Sequence, residues 1–127
     1  PKVSPKKAKL TFNALSEASS LGLIKAMHDC SEGGIGVCAA EMAFSGGLGM
    51  ELFLAEVPYK ERIAYSAERR EKLSAKRYPL NARNDFILFS ESSSRFIVEV
   101  EKTKQKKFEK ILNSKAVPFG LIGRVSP

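Results

Sequence analysis

Apolar positions along the chain recur at two different periods, and the changes of period mark out successive helices and strands. Leu10, Ala14, Leu15 and Ala18 fall at helical spacing, which predicts a first helix from about Ala8 to Ser20 that ends near Gly22. Leu23 to Met27 then reads as a short strand. Ile35, Cys38, Ala39 and Met42 share one face of a second helix over Gly33 to Ser45, and Gly46-Gly47 is its stop signal. Met50, Leu52 and Leu54 alternate with Glu51 and Phe53, so Leu48 to Leu54 is a strand. From Tyr59 to about Leu73 only Ile63, Ala64 and Ala67 form an apolar stripe, the pattern of an exposed helix, which Pro79 and Asn81 break. Phe86 to Phe89 is too short a run to classify by period, and Asn84 or Asp85 can cap a single helical turn there. Arg95 to Glu101 is a strand with Phe96, Val98 and Val100 on one face. Phe108, Ile111 and Leu112 place a helix between Thr103 and Asn113, and Val117 to Val125 returns as the last strand.

Helix and strand therefore alternate, with a β-α-β at each end. That order predicts an α/β (α+β) fold in which helices pack on a four-stranded sheet, and the spacing leaves parallel, mixed and ferredoxin-like pairings open. A chain of 127 residues with 43% hydrophobic content suits one compact domain with a single core. No apolar run approaches the roughly 18 residues of a membrane-spanning helix, and the basic, proline-containing start lacks a following apolar stretch. Secretion and membrane insertion are not expected, and the location implied is cytoplasmic. The opening on Pro1 and the close directly after a strand-like run suggest a fragment of something larger.

Cys30 and Cys38, with the single His28, cannot supply the four N/S ligands of a structural zinc site. Both read as reduced thiols, Cys38 as core filler among Ile35, Ala39 and Met42. Lys and Arg total 21 against 14 Asp and Glu, a net charge of +7. The basic residues concentrate in Lys2 to Lys9, Lys60 to Arg83 and Lys102 to Lys115. The last two segments also carry Glu61, Glu68, Glu71 and Glu109, the mixture of a solvated face. With no tryptophan and only Tyr59, Tyr65 and Tyr78 as tyrosines, the stacking platform of a nucleic-acid-binding module is missing.

The densest chemistry lies at His28-Asp29-Cys30-Ser31-Glu32-Gly33-Gly34, where a strand ends and a helix begins. Ser31 can cap the helix, Gly33 and Gly34 let backbone N–H groups approach a ligand, and the helix N-terminus favours an anion, with phosphate the natural guest. Asp29 is a hard oxygen ligand of the kind that holds magnesium together with phosphate oxygens. A purely structural reading also accounts for these residues: Ser31 caps, Asp29 bonds nearby backbone, the glycines relieve crowding and His28 is a hydrogen-bonded structural histidine. A second polar cluster, Ser90-Glu91-Ser92-Ser93-Ser94-Arg95, offers donors, a carboxylate and a guanidinium for a polar ligand or an interdomain contact. Gly46-Gly47-Leu48-Gly49 lacks the lysine and following helix of a phosphate loop and reads as a tight helix-to-strand connection. No Ser-His-Asp arrangement, nucleophile elbow or Walker-type loop is present, so no catalytic residue is assigned.

Three segments together resemble the phosphoribosylformylglycinamidine synthase family: His28 to Ile35, Ala40-Glu41-Met42-Ala43 with Gly46-Gly47 and Gly49, and Leu88 to Phe96. The combination of an HDxS(D/E)GG turn with an LFxES turn and SRF is similar to the C-terminal domain of that family's second repeat, within the aminoimidazole ribonucleotide synthase superfamily. Gly120-Leu121-Ile122-Gly123-Arg124-Val125 fits the domain's last strand. The resemblance spans Leu10 to Val125 and is weakest from Tyr59 to Asp85.

It implies a mixed four-stranded sheet with packed helices, and a purine-biosynthesis ligase. Such a ligase converts formylglycinamide ribonucleotide, ATP and glutamine-derived ammonia to the amidine, ADP and phosphate, with Mg2+ accompanying ATP. It also implies partners: the remainder of the synthase chain and, in short-form systems, a glutaminase subunit and a small accessory subunit. Carried over residue by residue, Asp29 matches a magnesium-binding aspartate, and Ser31, with Gly33 and Gly34, matches the nucleotide turn. Glu32 stands where the family usually has Asp. Glu91 and Ser92 match an SESQ-type turn in which Ser93 replaces the glutamine, leaving substrate contact or a structural nucleotide site as its role. Arg95 is expected to anchor that turn by pairing with a carboxylate, Glu91 first. Another superfamily member, of selenophosphate synthetase or thiamine-monophosphate kinase type, is the alternative, and the LFSES-SRF stretch discriminates against it. Exposed apolar surface is expected where neighbouring domains are absent.

Overall fold

A computed structural model describes residues 3–58 and 80–127, so the helix expected from Tyr59 to Leu73 lies outside the described residues. The elements in order are α1 (Pro5–Ser20), β1 (Ala26–Asp29), α2 (Gly34–Gly46), β2 (Gly49–Leu52), a 3-10 turn at Leu54–Glu56, α3 (Leu80–Phe89), β3 (Phe96–Glu99), α4 (Gln105–Ser114) and β4 (Gly123–Ser126).

Among the described residues the strands hydrogen-bond as two antiparallel ladders, not as one continuous mixed sheet. Ala26 lies opposite Glu99 and Asp29 opposite Phe96 in the β1–β3 ladder. Gly49 lies opposite Ser126 and Leu52 opposite Gly123 in the β2–β4 ladder. Apolar side chains of the strands and of the residues beside them fill two clusters. Phe96, Val98 and Ile24 join Ala14, Leu15, Ala18, Phe108, Ile111 and Leu112 beneath α1 and α4. Met50, Leu52 and Ile122 join Ile35, Cys38, Ala39 and Ile87 beneath α2 and α3. Ile97 belongs to the second cluster, so the alternation of β3 sends successive side chains into different helical layers. Edge-to-face packing of Phe12 on Phe96, 5.7 Å between ring centroids, fastens α1 to that ladder. On the second ladder Glu51 and Arg124 stand directly opposite and pair, Nε to Oε2, at 2.6 Å.

Three helices stop in the same way. The Leu23 N–H reaches back to the Ala18 carbonyl (3.0 Å) and the Gly22 N–H to Ser19 (2.9 Å); Gly22 is left-handed at φ 63. This is why β1 begins at Ala26 and not at Leu23: Leu23 is the buried apolar residue that closes a Schellman motif, not the first residue of a strand. At the end of α2, Leu48 bonds Ala43 (3.1 Å) around Gly47 at φ 61, giving the tight connection that the glycines predict. After α4, Val117 bonds Leu112 (3.0 Å) around Ala116 at φ 52, a left-handed residue that is not glycine. Val117 is buried in the first cluster, so the expected strand starts only at Gly123.

The run Phe86–Phe89 is the last part of a ten-residue helix, so Asn84 and Asp85 sit within α3 and cap nothing. Cys30 and Cys38 are free, buried thiols in the second cluster. Burial, then the Cys30 sulfur beside it, pushes the Cys38 thiol up to about 12, and burial likewise raises Cys30.

Two measurements follow from the helix stop at Ala116 and from the buried thiols. Ala116→Gly relieves a left-handed alanine and is expected to stabilise the domain by ~0.5–1 kcal/mol in urea unfolding, whereas Gly22→Ala loses ~1 kcal/mol. Because the folded Cys38 pKa lies above its ordinary 9.0, the thiol's contribution is complete below pH 9 and is lost as pH rises toward 12. Unfolding midpoints should therefore fall between ~pH 8 and ~pH 11, and the fall should shrink in Cys38→Ala.

Candidate functional site

The end of β1 and the start of β3 deliver both polar clusters to one edge of the first ladder. The Cys30 N–H donates to the Arg95 carbonyl at 2.8 Å, the last bond before the two chains separate. On the first side Ser31 N–H turns back to the Asp29 carbonyl (3.2 Å), and Gly33 (φ 74) and Gly34 (φ 63) are both left-handed. Gly33, not Ser31, is therefore the N-cap of α2, and no side chain caps this helix. Two successive left-handed residues place Ser31 outside capping geometry, and its backbone carbonyl instead accepts from Gly34 N–H at 3.4 Å. Glycine is obligatory at 34, because a Cβ there would lie 2.6 Å from the Leu88 carbonyl oxygen and 2.8 Å from that of Ser90.

The second turn lies directly against the first. Glu91 Oε1 accepts a hydrogen bond from Gly33 N–H at 3.0 Å. Arg95 does not pair with Glu91: its Nε donates to the Ser92 carbonyl at 3.3 Å and its Nη2 to the Ser90 carbonyl. Ser94, left-handed at φ 63, bends the chain so that the guanidinium faces back over the turn's own carbonyls. The Ser90 and Ser92 hydroxyls are 3.0 Å apart. The two expected polar turns thus lie side by side, but Ser31, Glu91 and Arg95 have different partners from those expected.

His28 is held as a structural histidine. Its Nδ1 is 2.8 Å from the Asp29 carbonyl and its Nε2 is 3.3 Å from Glu41 Oε2. This contact of Glu41 was not expected from the sequence, although Glu41 is the only charged residue on α2 and so breaks that helix's apolar composition. The Asp29 carboxylate is 64% exposed, next to the His28 ring at 3.7 Å. Among the described residues no three His, Cys, Asp or Glu groups converge as a metal site. One exposed carboxylate still fits magnesium, which takes one or two carboxylates and completes its shell with water and phosphate oxygens.

The N–H groups of Ser31, Gly33 and Gly34 all have acceptors within the protein, so what the turn can offer a phosphorylated ligand is the Ser31 hydroxyl, the Asp29 carboxylate and the positive end of α2. The turn's rigidity comes from backbone contact, so Gly34→Ala should cost more than ~3 kcal/mol in urea unfolding. Gly47→Ala, equally left-handed but with open space around it, should cost only ~1 kcal/mol.

Residues 1–127 match the family described as AIR synthase related protein, C-terminal domain. The chain is 31% identical over 126 residues to phosphoribosylformylglycinamidine synthase subunit PurL of Thermococcus sibiricus, covering 99% of this chain and 14% of that protein. It is 32% identical over 124 residues to the same subunit of Moorella thermoacetica, covering 98% and 14%. The chain thus spans about one-seventh of the length of these curated relatives. Among solved structures, phosphoribosylformylglycinamidine synthase II from Thermotoga maritima superposes with a TM-score of 0.76 at 22% identity, over 98% of this chain and 18% of that one. The Thermotoga maritima PurL complexed with ATP gives a TM-score of 0.71 at 22% identity, over 93% and 17%. At that identity the structural likeness speaks for the fold, and the match along the whole sequence for kinship: the chain belongs to the AIR synthase related family, as a C-terminal domain.

Proposed function

We propose that the chain is the C-terminal domain of a phosphoribosylformylglycinamidine synthase. That ligase uses ATP and glutamine-derived ammonia to convert formylglycinamide ribonucleotide to the amidine, releasing ADP and phosphate. The observation that carries this reading is the direct seating of the 28–34 turn on the 88–95 turn at Gly34, which brings the two motif segments into one site. Curated relatives along nearly the full chain are subunits of that synthase, and neighbours of the same fold include PurL complexed with ATP and PurL complexed with FGAR.

In this reading Asp29 is one ligand of Mg2+, and Ser31, Gly33 and Gly34 form the nucleotide turn. Ser92, on the turn shaped by Glu91 and Arg95, faces the substrate or a structural nucleotide. Magnesium, when bound, neutralises phosphate charge during transfer. The protein's part is to hold the phosphate against the start of α2, where the helix dipole favours an anion. Half a site is built here, and the other half comes from the remainder of the synthase chain.

Exposed aromatic surface supports such a partner: Phe86 and Phe89, at the end of α3 that leads into the second turn, are 71% and 57% exposed. In this reading a glutaminase subunit and a small accessory subunit are further partners; a neighbour of the same fold is PurLQS from Thermotoga maritima. Among the described residues no helix is long and apolar enough to cross a membrane, and the proposed location is the cytoplasm.

The test is Mg-ATP titration with ammonia-dependent turnover of formylglycinamide ribonucleotide, in the full-length synthase and its Asp29→Asn variant. Turnover is expected to drop at least ~100-fold with folding intact, the loss of a ligand in a phosphoryl-transfer site. Turnover that survives while thermal stability falls would instead assign Asp29 to a structural nucleotide.

A further inference from the structure

We propose that Glu91 is a positioning residue: its carboxylate locks the 88–95 turn onto Gly33 of the phosphate turn, and it binds neither substrate nor metal. The inference rests on the function proposed above. Its basis is geometric. Glu91 Oε1 is 3.0 Å from Gly33 N, and Gly33 is the N-cap of α2. A carboxylate there sits on the positive end of a helix that has no acidic residue in its first turn and no side-chain cap. Among the described residues this is the one side-chain hydrogen bond that crosses between the two turns. The other side-chain hydrogen bonds of the second turn are internal, from Arg95 to the Ser90 and Ser92 carbonyls and between the Ser90 and Ser92 hydroxyls.

The bond has two effects. It commits Gly33 N–H to the protein, so Gly33 shapes the phosphate turn without itself donating to phosphate. It also makes the position of Ser31 and Gly34 depend on the second turn, because Gly34 already rests on the Leu88 and Ser90 carbonyls. What the lock requires is an acceptor oxygen at this reach. A glutamine retains one, an alanine has none, and an aspartate is one methylene short.

The test uses the full-length synthase with Glu91→Gln and Glu91→Ala. Removal of this bond should raise the KM for Mg-ATP at least ~10-fold in Glu91→Ala. Hydrogen–deuterium exchange of the Cys30–Val37 peptide should quicken in the same variant. Glu91→Gln should stay within ~5-fold of wild type in KM, the residual being the lost charge–dipole term, and should retain slow exchange. The proposal is overturned if Glu91→Gln is as impaired as Glu91→Ala, which would mean that the charge itself meets a ligand. It is equally overturned if Glu91→Ala leaves either KM or exchange unchanged. A wild-type synthase without ATP- and ammonia-dependent turnover would sink the functional reading alone, and the exchange comparison would still decide the lock.

Discussion

Where the 28–34 and 88–95 turns meet, backbone lies on backbone: Gly34 packs against the carbonyls of Leu88 and Ser90 with no room for a side chain between them. That approach fixes where α2 begins relative to the end of α3. The contact is possible because Gly33 and Gly34 both adopt left-handed conformations, which turn the chain sharply enough for α2 to start beside α3. Helical layers on either side of the β1–β3 ladder then hold the two turns from behind. Ile35, Cys38 and Ala39 anchor α2, and Ile87 anchors α3, in one apolar cluster with Ile97 of the ladder. The site is thus a rigid rim on a packed core.

Rim and core are linked through β3. Its odd and even residues enter different clusters, so a shift of register by one would exchange Ile97 with Phe96 and Val98 and disrupt both layers together. Asp29 lies opposite Phe96 in that register. The height of the Asp29 carboxylate above the rim is therefore set by core packing on both faces. A polar site on a ladder only two strands wide needs such bilateral support, because an isolated pair of four-residue strands is marginal in water.

What could be read from the residues divides along physical lines. α1, α2 and α4 were legible because each has a repeating apolar face that meets the core, and Phe96, Val98 and Val100 were legible because alternation on a half-buried strand is unambiguous. Leu23 was misread because a buried apolar residue after a Schellman turn has the same composition as the first residue of a strand. Only the end of α3 carries a run of apolar residues, so its full length could not be recovered from periodicity. Where the two turns meet, the pairing of the polar residues was not legible. Ser31 next to a helix start suggests a cap, but the cap position is decided by backbone angles at Gly33 and Gly34. Arg95 close in sequence to Glu91 suggests an ion pair, but the left-handed Ser94 aims the guanidinium at carbonyl oxygens, leaving the carboxylate to Gly33. Glycine and serine conformations of this kind carry no periodic signal.

The exposure of the rim bears on how such a domain would work within a larger synthase. Asp29 is largely open to water, and interactions of a single carboxylate in high dielectric are weak, about 1 kcal/mol for unit charges 4 Å apart. Stabilising the charge that develops in phosphoryl transfer needs a water-excluded setting, in which the same charges act several times more strongly. On the proposed function, the surface that must be covered to exclude that water is largely apolar. Phe89 borders Gly36 in the first turn of α2, and Phe86 is exposed one helical turn before it. Burying those rings against a neighbouring domain is favourable by the hydrophobic effect and removes water from beside Asp29 and Ser31 in the same step. Domain association and electrostatic activation would then be one event, so the chain can carry the metal ligand and the phosphate turn and still be inert until its neighbour is in place.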